Sequence, residues 1–308
     1  MSVEQFQTAV TEFTHKPRGE CGTIRIQFIG VFVEEEFFRP VKQGIKDAGR
    51  DLRADVSFTG DAGGDTLVVN RLIFDAVDGG VDGLAVNIIH PSANNEAIRH
   101  AMSKGIPVVA FNCDATNGTG PHLAHTQQNF MAAGMKLAKT LLDDVSRKAT
   151  VLLTKHDANV SALDDRANGI REGLAPRGPS FAELITTQEA HVAAEKIEAA
   201  LRENPAIEAI FCTGQADTEG AGLAVKKMGG KTLIGGFDLS PTILELVKDG
   251  HIRCTIDQQP YMQGYYPVVQ LCLNIRYGVL PANMDAGATL IDKSNAEKVM
   301  ELSQQGYR

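Results

Sequence analysis

Polar and aromatic side chains recur where short apolar runs end. The first run, closing near Val31, is followed by Glu34-Glu35-Glu36-Phe37-Phe38. A later one ends Phe111-Asn112-Cys113-Asp114, another Gly236-Phe237-Asp238, and a last short one leads from Thr255 through Asp257 to Gln258. Arg166 stands alone among Asp164-Asp165-Arg166-Ala167-Asn168-Gly169, on the first turn of an amphipathic stretch. Carboxylates, amides and a guanidinium give directed, bidentate hydrogen bonds, and aromatic rings cover an apolar ligand face. Each group also has a plain structural reading. One Phe can pack inward as a helix staple, carboxylates favour a helix N-terminus, and loop polarity is ordinary. Recurrence at the same end of successive runs is the feature that points to a binding edge, because open α/β sheets bind ligands at their strand C-termini.

Other chemistries lack their residues. The turn after the first run has no GxGxxG, and the cluster Gly60-Asp61-Ala62-Gly63-Gly64 comes one unit too late with the wrong spacing. There is no Walker A, GxSxG or HExxH. His156-Asp157 could be an acid–base pair but reads as a surface turn, and no His sits at a metal-ligand spacing. Cys21, Cys113, Cys212, Cys254 and Cys272 are scattered, without CxxC, and read as free, partly buried thiols. Pro17-Arg18-Gly19-Glu20 is not an apolar lipobox before Cys21. No catalytic residue, metal or cofactor is expected.

The elements that must position these groups follow from apolar periodicity. Strands are expected at 23–31, 55–59, 83–87 and 107–112, with helices at 40–51, 65–79 and 91–104 between them. The pattern then restarts. Helices are expected at 129–145, 163–174, 191–203, 219–228 and 241–249, and strands at 149–153, 181–186, 209–213, 232–236 and 254–257. Helices at 261–277 and 294–304 close the chain. This alternation predicts parallel sheets covered on both faces. The fold class is α/β, with two Rossmann-like doubly wound lobes. The 261–277 helix is surplus to the second set and suits a return to the first. The lobes are therefore expected at 22–125 plus 260–285 and at 126–258 plus 286–308, joined by hinge strands in three crossings.

The 308 residues are enough for two such lobes without staples. With 30 Lys and Arg against 38 Asp and Glu, the net charge of −8 opposes a nucleic-acid partner, which needs basic patches. No apolar run approaches the ~20 residues of a membrane span, and the polar N-terminus has no signal-peptide core. Without Trp, ring stacking must fall to Phe, and Phe37-Phe38 is the adjacent pair at a strand end.

In these motifs the chain resembles the type I periplasmic sugar-binding proteins, the ribose- and galactose-binding group whose fold also serves LacI effector domains. The resemblance runs over about residues 23–300. It is carried by Phe37-Phe38, the run Val81 to Asn87, Gly105 to Asn112, Arg166 with Gly169, Gly236-Phe237-Asp238, and Thr255 to Gln258. It implies two lobes joined by three crossings, closing on one ligand, in a monomeric solute receptor that feeds an ABC importer through its membrane permease. The location implied is periplasmic, with the export signal not present in this chain. It assigns ligand contacts to Glu35, Phe37, Phe38, Asn112, Arg166, Asp238 and Gln258. Asp114 joins them from the strand-end reading. Gln215 joins them because Gly214-Gln215 stands where ribose binders have Asn-Asp. Glu35-Glu36 before the Phe pair and Cys113 in place of a frequent Arg also depart from the ribose pattern. They imply a neutral or cationic ligand: a hexose, polyol, cyclitol or amino sugar. A ligand-sensing effector domain or receptor without transport remains the alternative, although only about 22 non-basic residues precede the first strand. A sugar-modifying enzyme is the less favoured one.

Overall fold

The computed structural model describes residues 22–34 and 36–308. The described residues divide into two units, one made of those up to Gln127 plus Pro260–Ala286, the other of Gln128–Gln259 plus Gly287–Arg308. The backbone therefore passes from one unit to the other at 127/128, 259/260 and 286/287.

The first unit opens with β1 (Ile24–Val31), α1 (Phe38–Leu52), β2 (Ala54–Asp61), α2 (Thr66–Asp78), β3 (Gly83–Ile88), α3 (Asn95–Ser103), β4 (Val108–Asp114) and β5 (His125–Gln127). The second continues with α4 (Phe130–Thr140), β6 (Thr150–Lys155), α5 (Ser161–Leu174), β7 (Ser180–Ile185), α6 (Ala190–Glu203), β8 (Ile207–Cys212), α7 (Gln215–Met228), β9 (Leu233–Phe237), α8 (Pro241–Asp249) and β10 (Cys254–Asp257). The chain then returns for α9 (Pro260–Tyr277) and β11 (Met284–Asp285), and leaves again for β12 (Thr289–Asp292) and α10 (Ala296–Gln304).

Both units carry the same doubly wound order. The sheets run β2-β1-β3-β4-β5-β11 and β7-β6-β8-β9-β10-β12, parallel except for β12 against β10. In such an order the strand direction of travel reverses beside the first strand, and the C-terminal edge there is open. The central strands are buried on both faces, as parallel strands sandwiched by helices must be: every residue of β3 is buried. Local sequence sets the helix starts. Asp65 accepts the Leu67 amide at α2, Asn129 accepts Ala132 at α4, and Ser240 accepts Ile243 at α8, where Pro241 takes the first helical position.

One packing device is repeated. In each unit the helix entered just after a crossing lies against the helix that follows the first strand. In the first unit these are α9 and α1, in the second α4 and α5. Both seams are backbone to backbone. A Cβ on Gly264 would stand 2.1 Å from the Val41 carbonyl oxygen, and one on Gly44 would stand 2.2 Å from that of Tyr261. A Cβ on Gly134 would stand 2.2 Å from the Arg166 oxygen, and one on Gly169 would stand 2.2 Å from that of Met131. No side chain fits in these seams, so four glycines are required for contact and not for turn geometry.

The fold class is the one expected, and the differences lie at boundaries. The 91–104 helix begins only at Asn95, because the residues after Pro91 form a turn. The helix expected to run to Val145 stops at Thr140 and continues as a 3-10 turn over Leu142–Asp144. α5 and α7 start earlier than expected, at Ser161 and Gln215, which moves Arg166 out of the first turn and makes Gln215 the first helical residue. β5, β11 and β12 were not expected, since strands of two to four residues carry no readable alternation.

Candidate functional site

The second unit gathers a buried charged set at the C-terminal edge of its sheet. Asp238 directly follows β9 and takes a left-handed backbone, φ 69°, a conformation that Asp and Asn tolerate better than other side-chain-bearing residues. Its amide donates to the Ile256 carbonyl and its own carbonyl accepts the Thr255 hydroxyl, so the neighbouring strand β10 holds the bend. The Asp238 carboxylate accepts the Gln258 amide at 2.6 Å and lies 3.6 Å from the Arg166 guanidinium. Arg166 is 2% exposed. It donates to the Thr213 carbonyl at 2.7 Å and to Gln128 Oε1 at 2.9 and 3.2 Å. Its guanidinium lies 4.2 Å from the Phe237 ring centre and 5.2 Å from that of Phe130. A cation held between ring faces and tied by three further bonds is fixed in orientation. Burial pushes the Asp238 carboxyl above the usual range, against the pull of Arg166 and Gln258.

Beside this set, Asp217 of α7 is fully buried and organises the ends of β6 and β8. It accepts the Thr213 and Gly214 amides at 2.8 and 3.0 Å and the Thr154 hydroxyl at 2.7 Å, with His156 Nδ1 at 3.4 Å. His156 thus faces Asp217, in place of the Asp157 pairing considered from sequence.

The first unit repeats the bend with different chemistry. Asn112, near the end of β4, also has a left-handed backbone, φ 62°. The β3–β4 register shifts between Val86 and Ile88 to accommodate it. Its side chain accepts Asn87 Nδ2 at 2.8 Å and donates to Gln263 Oε1 at 2.9 Å. Asn87 and Gln263 are buried, so a chain of three neutral amides leads to the part-exposed Asn112. Gln263 belongs to α9 and is placed by the Gly264 seam beside it.

A family model described as the periplasmic binding protein domain matches residues 26–276. The chain belongs to this family. Its members are solute-binding proteins, not enzymes. The xylose/arabinose-binding protein XylF of Sulfolobus acidocaldarius is 29% identical over 305 residues, covering 92% of this chain and 75% of that protein. The ribose import binding protein RbsB of Bacillus subtilis is 26% identical over 232 residues, 74% of each chain. Among solved structures, a carbohydrate transporter from Acidothermus cellulolyticus in complex with myo-inositol superposes with a TM-score of 0.83 at 26% identity, over 93% of this chain and 100% of that one.

Within the family fold, the residues expected at the site separate. Arg166, Asp238 and Gln258 meet in one network, and Asn112 sits in the amide chain. Gln215 is part-exposed at the start of α7. Glu35 lies outside the described residues, as does Cys21. The Phe pair divides. Phe37 is part-exposed, while Phe38 is 3% exposed and packs in the core against Phe58 at 5.7 Å, which is the inward staple.

Asp114 requires correction as a ligand contact. Its carboxylate is filled from its own loop: the Thr116 amide and hydroxyl on one oxygen, and the Gly118 amide, His122 and His125 on the other. Burial pushes its carboxyl up, but the bonds from His122 and His125 outweigh that and hold it below the usual carboxylate range. The expectation that no His lies at ligand spacing is also corrected, because His122 and His125 converge on Asp114. The spacing His122-x-x-His125 was readable, but Asp114, eight residues upstream, is joined to it only by the fold. Cys113, Cys212, Cys254 and Cys272 are buried and form no disulfide with one another.

Sequence reasoning missed Gln128, Thr213, Gln263 and the role of Asn87. Asn87 stands one residue before the end of β3 and was legible by the strand-end rule. Gln263 becomes visible only once α9 is known to return to the first unit.

Proposed function

We propose that this protein is the extracytoplasmic receptor of an ABC importer and binds an uncharged or cationic carbohydrate: a pentose, hexose, cyclitol or amino sugar. The observation that carries the reading is the Arg166–Asp238–Gln258 network at the edge of the second sheet. A sugar hydroxyl both donates and accepts, so it matches a carboxylate beside a guanidinium and an amide. The two charges offset one another at 3.6 Å. The other unit offers neutral amides at its corresponding bend. Neither set supplies the excess of positive charge that an acidic sugar requires. The ligands for which the relatives are named, xylose or arabinose, ribose and myo-inositol, support the same class. The receptor acts as a monomer and hands its ligand to a membrane permease.

The test is calorimetry against pentoses, hexoses, polyols, cyclitols and acidic sugars. At least one neutral or cationic member is expected to bind, and Asp238→Gly, which keeps the left-handed backbone, to abolish it. Binding by acidic sugars alone, or binding untouched by Asp238→Gly, overturns the reading. A single sedimentation species at the monomer mass is expected.

A further inference from the structure

We propose that Asp114, His122 and His125 form a zinc site in the first unit, separate from the carbohydrate-binding groups. Asp114 Oδ2 lies 3.1 Å from His122 Nε2 and 2.9 Å from His125 Nδ1, and the three atoms lie within 4.8 Å of one another. Two ligands of one tetrahedral zinc stand about 3.3 Å apart at the usual bond lengths. Two imidazoles and a carboxylate are a donor set that suits this ion, with one position left for water.

Hydrogen bonding alone accounts poorly for the convergence. Oδ2 also accepts the Gly118 amide at 2.8 Å, so three donors would share an oxygen with two lone pairs. With a cation among the three atoms, the imidazoles present lone pairs and the Gly118 bond remains. The His122 Nδ1 is buried without a hydrogen-bond partner, so no second bond pins the His122 proton to Nε2. Each imidazole binds metal in its neutral form, with its proton on the other ring nitrogen.

The backbone prepares the site. Leu123 donates to the Val108 carbonyl and Ala124 accepts the Ala110 amide, so the residues between the two His are laced to β4. The Asp114 amide is tied to Gln127 Oε1 at 2.6 Å. Asp114 and His122 are buried and His125 is partly open, which gives the ion an entry side. The ion would staple the segment between β4 and β5, a stretch that contains no regular element of its own.

The full chain, stripped by chelator and dialysed, is titrated with zinc chloride by calorimetry, with magnesium chloride as control. About one zinc per chain is expected, no magnesium, and a melting temperature raised by about 5 °C at a hundredfold excess over Kd. His125→Gln, at the open side, is expected to lose more than the roughly 10–100-fold that losing an outer-shell partner costs. Cobalt substituted for zinc is expected to give the visible bands of a four-coordinate ion, and His122→Gln to remove them. Absence of zinc binding, or zinc binding and a melting shift unchanged by His125→Gln, overturns the site. If His122→Gln fails to fold, His125→Gln decides alone.

Discussion

Asn112 and Asp238 occupy the same place in the two units. Each follows a Phe at the C-terminal end of the fourth strand of a doubly wound sheet, and each bends the chain through the left-handed region, with φ of 62° and 69°. The backbone problem is the same and has been solved with the two side chains that tolerate it. The chemistry differs. Asn112 is partnered by two amides, whereas Asp238 is partnered by an amide and a buried guanidinium. One unit therefore offers neutral, reversible donors and acceptors, and the other offers a fixed dipole. A shared fold sets where a polar group stands and leaves open what charge it carries.

Breaking the charged side is expected to have the largest effect. Arg166→Ala leaves Asp238 and Gln128 buried without their cation and is expected to cost about 3–5 kcal/mol of stability and all measurable binding. Urea unfolding and calorimetry on one preparation check both. Phe38→Ala is expected to cost a similar 3–5 kcal/mol in urea because the ring is core. Unchanged stability with lost binding would restore it as a ligand platform.

The pH dependence of stability sharpens the contrast further. Burial raises the Asp238 carboxyl above its ordinary 3.8. The native state then holds this proton more tightly than the unfolded chain, so stability falls as pH rises from that value through the raised native one. Asp238→Asn is expected to reduce this slope in urea midpoints measured across the acid range. It does not abolish the slope, since burial raises Asp257 as well. The groups acting on Asp238 besides burial are Arg166, Gln258, His156 and Asp217. Asn112 is neutral and contributes no such slope, and Asn112→Asp is expected to introduce one of the same sign, because no cation is bonded to that amide chain. The smallest effect is expected from Asn112→Gly, which keeps the bend and removes one neutral pairing. Calorimetry should show about a fivefold loss of affinity, near 1 kcal/mol.

Much of this was legible because strand ends are legible. Apolar runs locate strands, and a polar residue closing one, as at Asn112 or Asp238, needs no knowledge of the fold to be noticed. The rest depended on separation in the chain. Arg166 and Gln128 are 38 residues apart, and Asn112 and Gln263 are 151 apart. No local period links such pairs. Asp114 was legible as a strand-end carboxylate, but whether it faces a ligand or its own loop was not. Phe37 and Phe38 are adjacent and alike, and only the packing of α1 onto the sheet tells which turns inward.

The glycine seams bear on how such a protein changes its ligand. Gly134 and Gly169 in one unit, and Gly44 and Gly264 in the other, put main chain directly on main chain. The helices that carry Arg166 and Gln263 are thus registered without help from any side chain that faces a ligand. If the proposed site is right, substitution at Asn112, Gln258 or Gln263 is expected to alter recognition while the scaffold's alignment is left intact, so the preferred sugar can drift by single steps. The seam glycines have no such freedom, and a single methyl group there would disturb every contact at once.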